Sequence, residues 1–348
     1  MFSTSSVEEN DFDEVAVERL TKDLKNASLT LSDAEARFLV DAYYQAQENR
    51  IRSDGQRRAI DQSSDVGTKP HLVLDWLSRN DAIMESQIRR ALSAYSESRE
   101  IGRWARSVVG IGPVIAAGLV AHIDITQSET AGQVWRFAGL DSTSRWIGKV
   151  EANKFVSDWI KENGYGVPIE QGKKHLSTEI LAAAAQTFNK KYETLEKFAM
   201  EYGEGKLTPS SVARSLSRRP WNAALKRLCW LIGESFVKVQ NNPDDVYGKL
   251  YQQRKEIEIS KNEKKEFADQ ARHILETKNI GKATDAYKAY SIGMLPPAHI
   301  HARAKRWAVK IFLSHYHQMA YQFHHGRPAP APFPIAILGH AHRIDPRV

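Results

Sequence analysis

The sequence predicts an all-α protein in which a long, coiled-coil-like helix leads into two short helices around a glycine turn, with a helical insertion further on. Three observations predict it. Apolar residues from Leu72 to Tyr95 recur at three- and four-residue steps, the period of an amphipathic helix. Helix start and stop signals punctuate the chain, among them Ser32 with Glu35, Pro209-Ser210 and Gly139. No stretch alternates convincingly with the period of two that a half-buried strand requires.

Taken in order, residues 1–14 are Ser- and acid-rich, a composition expected to be disordered. Helical periodicity begins at Val15 and runs to Lys25. Ser32 and Glu35 have the spacing of a capping box, and the helix they open should run through Phe38, Tyr43 and Tyr44 to about Asn49. Arg50 to Lys69 is polar and is expected to be loop or frayed helix. The long helix over 72–95 is a candidate dimerisation element, with burial against its own chain as the alternative. Short helices are expected at Ile101 to Val108, from Pro113 to His122, and at Ala131 to Ala138, the last closed by Gly139. Residues 141–175, rich in Trp and Gly, are expected to be irregular.

Helices resume at Ser177 to Tyr202, Thr208 to Ser217, Pro220 to Val239, Asp244 to about Ile274, Thr284 to Tyr290, and Ala298 to Phe323. A Pro-rich tail follows from Arg327. The organisation expected is therefore a partly disordered helical region (1–69), the long helix (70–105), a helix-hairpin-helix domain (106–320) with an insertion at about 145–210, and the tail (321–348).

Charge is distributed unevenly. Residues 1–150 hold 18 Lys/Arg against 22 Asp/Glu, and residues 151–348 hold 31 against 20. Such asymmetry points to a polyanionic partner for the second half. The single cysteine, Cys229, excludes an intramolecular disulfide and any Cys-rich zinc or iron–sulfur site. Its neighbours Leu228, Trp230 and Leu231 mark it as a buried filler. No run of about 18 apolar residues is present, and the N-terminus is unlike a secretory signal, so no membrane partner and a cytoplasmic location are expected.

The most telling segment is Val109-Gly110-Ile111-Gly112-Pro113-Val114. It reads as the turn of a helix-hairpin-helix, which grips nucleic-acid backbone without reading bases. Gly110 and Gly112 would allow positive φ and close approach of a phosphate. Ile111 would point inward, and Pro113 suits the first helical turn. The exposed N–H groups of the turn, aided by the helix dipole, would receive the anion, so that the backbone at Gly110, Gly112 and Val114 holds phosphates. Two basic clusters with indoles would extend the footprint: Arg218, Arg219, Lys226 and Arg227 beside Trp221, with Arg214 near, and Arg303, Lys305 and Arg306 beside Trp307. The aromatics Trp146, Trp159 and Tyr165 are expected to pack rather than bind.

Several pieces resemble the C-terminal half of insertion-sequence transposases of the DEDD type (the insertion sequence 110/116/902 group, with its transposase 20 helix-hairpin-helix domain). There a long helix leads into a segment matched here by Gly110 through Ile123, then by the short helix and triplet Gln133 through Leu140. Ser217 to Leu228, Asn242-Pro243 with Tyr247 to Tyr251, and Ala304 to Tyr316 resemble later parts. The resemblance implies a DNA-binding scaffold from a mobile element. It departs from that family in two respects. The roughly 70 residues before the long helix leave no room for the family's RuvC-like nuclease half, and Ile147-Gly148 stands where the family has its serine.

DNA is therefore the expected partner, with structured RNA as the alternative, and the chain is expected to be non-catalytic and without cofactor. Two rival readings remain: a recombinase using Ser142 or Ser144 with a separate nuclease, and an assembly factor whose hairpin is only structural. Helix-hairpin-helix DNA glycosylases would need a catalytic Asp in a Gly/Pro-rich setting and a Lys after the glycine pair; Asp124 lacks the setting and Val114 occupies the Lys position. Eight of twelve histidines lie from His299 onward (His299, His301, His315, His317, His324, His325, His340 and His342). Helical i, i+2 spacing splays such side chains, so surface or nucleic-acid contact is expected of them rather than metal.

Overall fold

A computed structural model describes residues 19–63, 72–141, 146–168, 172–331 and 344–346. Among these the chain is all-α, with fifteen α-helices and no strand. An isolated bridge between Gly166 and Leu176 is the extended pairing found. No helix among the described residues is long and apolar enough to cross a membrane.

The chain divides into two compact units, one comprising 1–134 and 227–348, the other 135–226. The expected boundaries near 69 and 105 fall inside the first unit, and the expected insertion lies inside the second.

In the first unit, α1 (Lys22–Ala27) precedes α2 (Asp33–Ser63), and α3 (Leu72–Glu97) packs along α2. The capping box is present: the Ser32 amide donates to Glu35 Oε2 at 2.8 Å and the Glu35 amide to Ser32 Oγ at 3.3 Å. The helix does not stop near Asn49 as expected but continues to Ser63. Its polar second half is held by α3: Arg50 pairs with Glu85 at 2.5 Å, Ser78 donates to Asp54 at 2.6 Å, and Ser53 donates to Asp81 at 3.1 Å. A polar stretch thus stays helical because its partners are polar too.

Helices α4 (Glu100–Ser107) and α5 (Pro113–His122) form the hairpin. Val114, Ala117 and Ala121 of α5 share a core with Ala36, Val40 and Tyr43 of α2 and with Leu92 and Tyr95 of α3. Gly118 lets Leu228 pack closely on α5, since a Cβ there would lie 2.8 Å from Leu228 Cδ2. Helix α6 (Ala131–Phe137) ends before Gly139, whose φ of +67° is the left-handed cap the sequence predicts.

The unit is completed by α11 (Ala223–Val239, shared at its start with the second unit), α12 (Tyr247–Glu263), α13 (Ala268–Thr277), α14 (Asp285–Ser291) and α15 (Pro297–His325). The helix expected over 244–274 is broken at Lys265, which takes φ +57°. Phe236, Tyr247 and Phe312 form an aromatic knot, joined by Trp104 stacked on Phe312 at 6.2 Å.

The second unit holds α7 (Lys149–Asn163), α8 (Glu179–Phe188), α9 (Tyr192–Tyr202) and α10 (Pro209–Leu216). Helix α7 corrects the expectation of an irregular 141–175. Ala152, Phe155, Val156, Trp159 and Ile160 give it one apolar face, which packs on Ile180, Leu181, Leu195, Val212 and Leu216. The single helix expected over 177–202 is two, separated at Asn189, which takes φ +50°. Trp159 and Tyr165 pack against this core, as expected.

Candidate nucleic-acid interface

The hairpin turn is built in three steps. The amide of Ile111 donates to the Val108 carbonyl at 3.0 Å, closing the turn, and the Ile111 side chain is buried at 5 % exposure. Gly110 takes φ +92°, and a Cβ there would meet Ser235 Oγ and Val239 Cγ2, each at 3.1 Å. Its carbonyl accepts a hydrogen bond from Ser235 Oγ at 2.5 Å, tying the turn to α11. Gly112 differs from the expectation of positive φ. It is extended (φ −81°, ψ 173°) because it serves as the N-cap of α5, with Pro113 at the first helical position. Gly112 is exposed, and nothing lies within 4 Å of a Cβ built on it.

No side chain caps α5, which leaves its first-turn amides open in the geometry that favours an anion. Val114 is itself buried, at 6 %, so it offers backbone alone. On the other flank of the turn, Ser107, Val108 and Val109 line a cavity of about 170 Å³ edged by the carboxylates Asp244 and Asp345.

In the second unit, basic side chains sit on rings. Trp146 is 43 % exposed, and its indole N–H donates to the Ser217 carbonyl at 2.9 Å. Trp221 stands edge-on to it, with centroids 6.2 Å apart at 64°. The Arg219 guanidinium lies 5.4 Å from the centre of Trp146 and the Lys226 ammonium 4.1 Å from that of Trp221. Arg218 lies over Phe198 at 3.3 Å and Arg214 over Tyr202 at 4.3 Å, the two rings spaced one turn apart on α9. Gly139 seats Trp221: its positive φ and a distance of 2.8 Å from a would-be Cβ to Trp221 Cγ exclude any larger residue.

Arg227, the next residue along α11, is exposed and lies 5.3 Å from the Tyr44 ring in the first unit. The sequence clue to this surface is the stretch between Glu204 and Glu234, which contains six Lys/Arg and no carboxylate. The structure brings Arg219, Trp221 and Lys226 together with Trp146, which the sequence alone marks as a packing residue.

The third cluster does not form one basic patch. Arg303 donates to Glu258 at 2.7 Å and to Gln270 at 3.2 Å, and lies over Phe267 at 4.4 Å. Arg254 also holds Glu258, whose side chain is 2 % exposed. Burial pushes the Glu258 carboxyl up, and hydrogen bonds from Arg303 and Arg254 overcome it, holding it below the usual carboxylate range. Lys305 is engaged by Glu234. Arg306 is the exposed member of the three.

On α15, His315 and His317 are buried and structural, against the expectation of surface contact, whereas His324 and His325 are exposed. His317, 2 % exposed, donates its Nε2–H to the Ser128 carbonyl at 2.8 Å. His315 donates Nε2–H to the Ile344 carbonyl at 2.6 Å and accepts at Nδ1 from the Tyr247 hydroxyl at 2.8 Å. Burial lowers the pKa of His317, His299 and His301. His340 and His342 lie outside the described residues, as do Ser142 and Ser144. Among the described residues no group of three or more His, Cys, Asp or Glu side chains converges as a metal site. Asp124 accepts from the Thr126 amide at 2.9 Å and from its hydroxyl at 2.7 Å, acting as a local cap. Cys229 is buried, and burial pushes its thiol up to about 12, as a filler residue requires.

No family model matches the chain, and no curated protein and no solved structure matches it either.

Proposed function

We propose that this protein binds nucleic acid, DNA foremost, by holding phosphates at the α4–α5 hairpin and on the cation–ring surface of 214–226, without catalysing a reaction. The observation that carries the reading is the uncapped start of α5 behind the exposed Gly112. Two features support it independently: the carboxylate-free basic stretch after Glu204 and the rings that pre-position its arginines. Relation to the DNA-binding half of mobile-element transposases is part of the same proposal, resting on the hairpin, the short α6 and its Gly139 cap. Arg303 and Lys305 drop out of the footprint because carboxylates already engage them, whereas Arg306 stays in it.

A structural hairpin is the second reading, and one observation favours it: the bond and packing of Gly110 against α11 account for that glycine without a ligand. Gly112 is the N-cap of α5 but makes no such packing contact, so it is the position where the two readings part. A self-association surface on α3 also belongs to the proposal. Val73, Trp76, Leu77, Ile83 and Met84 stay exposed although α3 is packed on α2.

Fluorescence anisotropy with duplex DNA, single-stranded DNA and structured RNA at two salt concentrations tests the proposal. Binding that weakens steeply with salt supports it, because neutralised phosphates release counterions. Absence of binding to all three at low salt overturns it.

A further inference from the structure

Trp146 is held in an arrangement that packing alone does not call for. The bond of its N–H to the Ser217 carbonyl fixes the ring while 43 % of the residue remains in solvent. Trp221, seated on Gly139, braces it from one edge, and Arg219 lies over it. A fixed, solvent-facing indole with Arg219 over it and Lys226 on the neighbouring Trp221 ring is the chemistry that receives a base and its phosphate together. Bases inside a duplex are stacked on each other and present no face to an indole. Only an unpaired base can use this ring.

We propose that the second unit carries a binding site for unpaired nucleotides, in which a base stacks on Trp146 while Arg219 and Lys226 hold the flanking phosphates. The proposal rests on the nucleic-acid reading above and adds to it a strand state and a stacking residue. The site stands wholly within the second unit and needs nothing from the hairpin.

The test uses the full chain and three labelled probes of about 20 units, longer than the ~4–16 nucleotides that one binding module covers: a single strand, the same strand without bases, and a duplex. Anisotropy is expected to show the base-bearing strand bound about tenfold or more tighter than the abasic one, as a single stacked base provides. Trp146→Ala should erase that difference, bringing the base-bearing and abasic strands to equal affinity, and Trp146→Phe should retain part of it. Arg219→Ala should lower the log–log salt slope on the single strand by about 0.7.

Equal binding of the base-bearing and abasic strands by the unaltered protein overturns the site with no variant needed. A preference that survives Trp146→Ala also overturns it, as does Trp146-dependent binding of a neutral oligosaccharide. In each of these cases salt-sensitive duplex binding leaves the broader function standing. Failure of all three probes at low salt removes both.

Discussion

The Ser235 hydroxyl donates to the Gly110 carbonyl at 2.5 Å across a sequence separation of 125 residues, making the hairpin turn and α11 one packed object. The turn therefore keeps its shape with or without a ligand. Ser235→Ala removes a half-buried bond to the Gly110 carbonyl, so a loss of about 1 kcal/mol is expected. Gly110→Ala should cost more, because it adds strain at φ +92° to contacts of 3.1 Å. Chemical denaturation of the two variants checks the order.

Arg303 separates stability from binding. Its partner Glu258 is nearly inaccessible and is shared with Arg254. Arg303→Ala is expected to destabilise by about 2–3 kcal/mol, below the value for a fully buried pair because Arg303 is itself partly exposed. Affinity for DNA at a temperature where the variant is folded should stay unchanged. A normal denaturation midpoint with weakened DNA binding would place Arg303 in the interface after all.

Acid should weaken the fold through its buried imidazoles. His317 resists protonation in the folded state through burial, against a smaller opposing effect of its bond to Ser128, and His122, His299 and His301 are shifted the same way. A folded pKa below the unfolded value means that the unfolded chain takes up protons first. The stability they contribute is complete above about pH 6.5 and declines as pH falls below it. Melting temperatures should be level between about pH 8 and 7 and drop toward pH 5, and His317→Asn should flatten that drop. A rise in melting temperature on acidification would show the sign to be wrong.

The exposed face of α3 predicts association of copies at high concentration. Trp76→Glu with Met84→Glu should abolish it in sedimentation velocity without changing the melt, since both residues lie in solvent. A chain that sediments as a monomer at every concentration removes the dimer from the account.

What was legible in the sequence was local. The Ser32–Glu35 box, the Gly139 cap and the hairpin are set by residues a few positions apart, and each is present. Helix α7 was hidden because Trp and Gly content suggested a loop, although its apolar period was there from Ala152 to Ile160. The extension of α2 to Ser63 depends on Glu85, Asp81 and Ser78, which belong to another helix. Arg303 and Lys305 read as a free basic cluster because their acids lie 45 and 71 residues away. For the interface, the carboxylate-free run showed where charge collects, but whether an indole stands in solvent or in the core depends on packing that spacing does not reveal.

The most direct measurement is duplex-DNA affinity against salt for the unaltered protein and for Gly112→Asp. The variant puts a carboxylate at the N-cap of α5, where φ and open space accept it and where Asp caps at least as well as Gly. Its melting temperature should equal or exceed that of the unaltered chain, while its negative charge occupies the amides a phosphate would use. The account predicts a loss of affinity of about tenfold or more, the worth of a charge-assisted hydrogen bond, with a shallower salt slope. Unchanged affinity and slope in a folded Gly112→Asp protein would contradict it and leave the hairpin as scaffold.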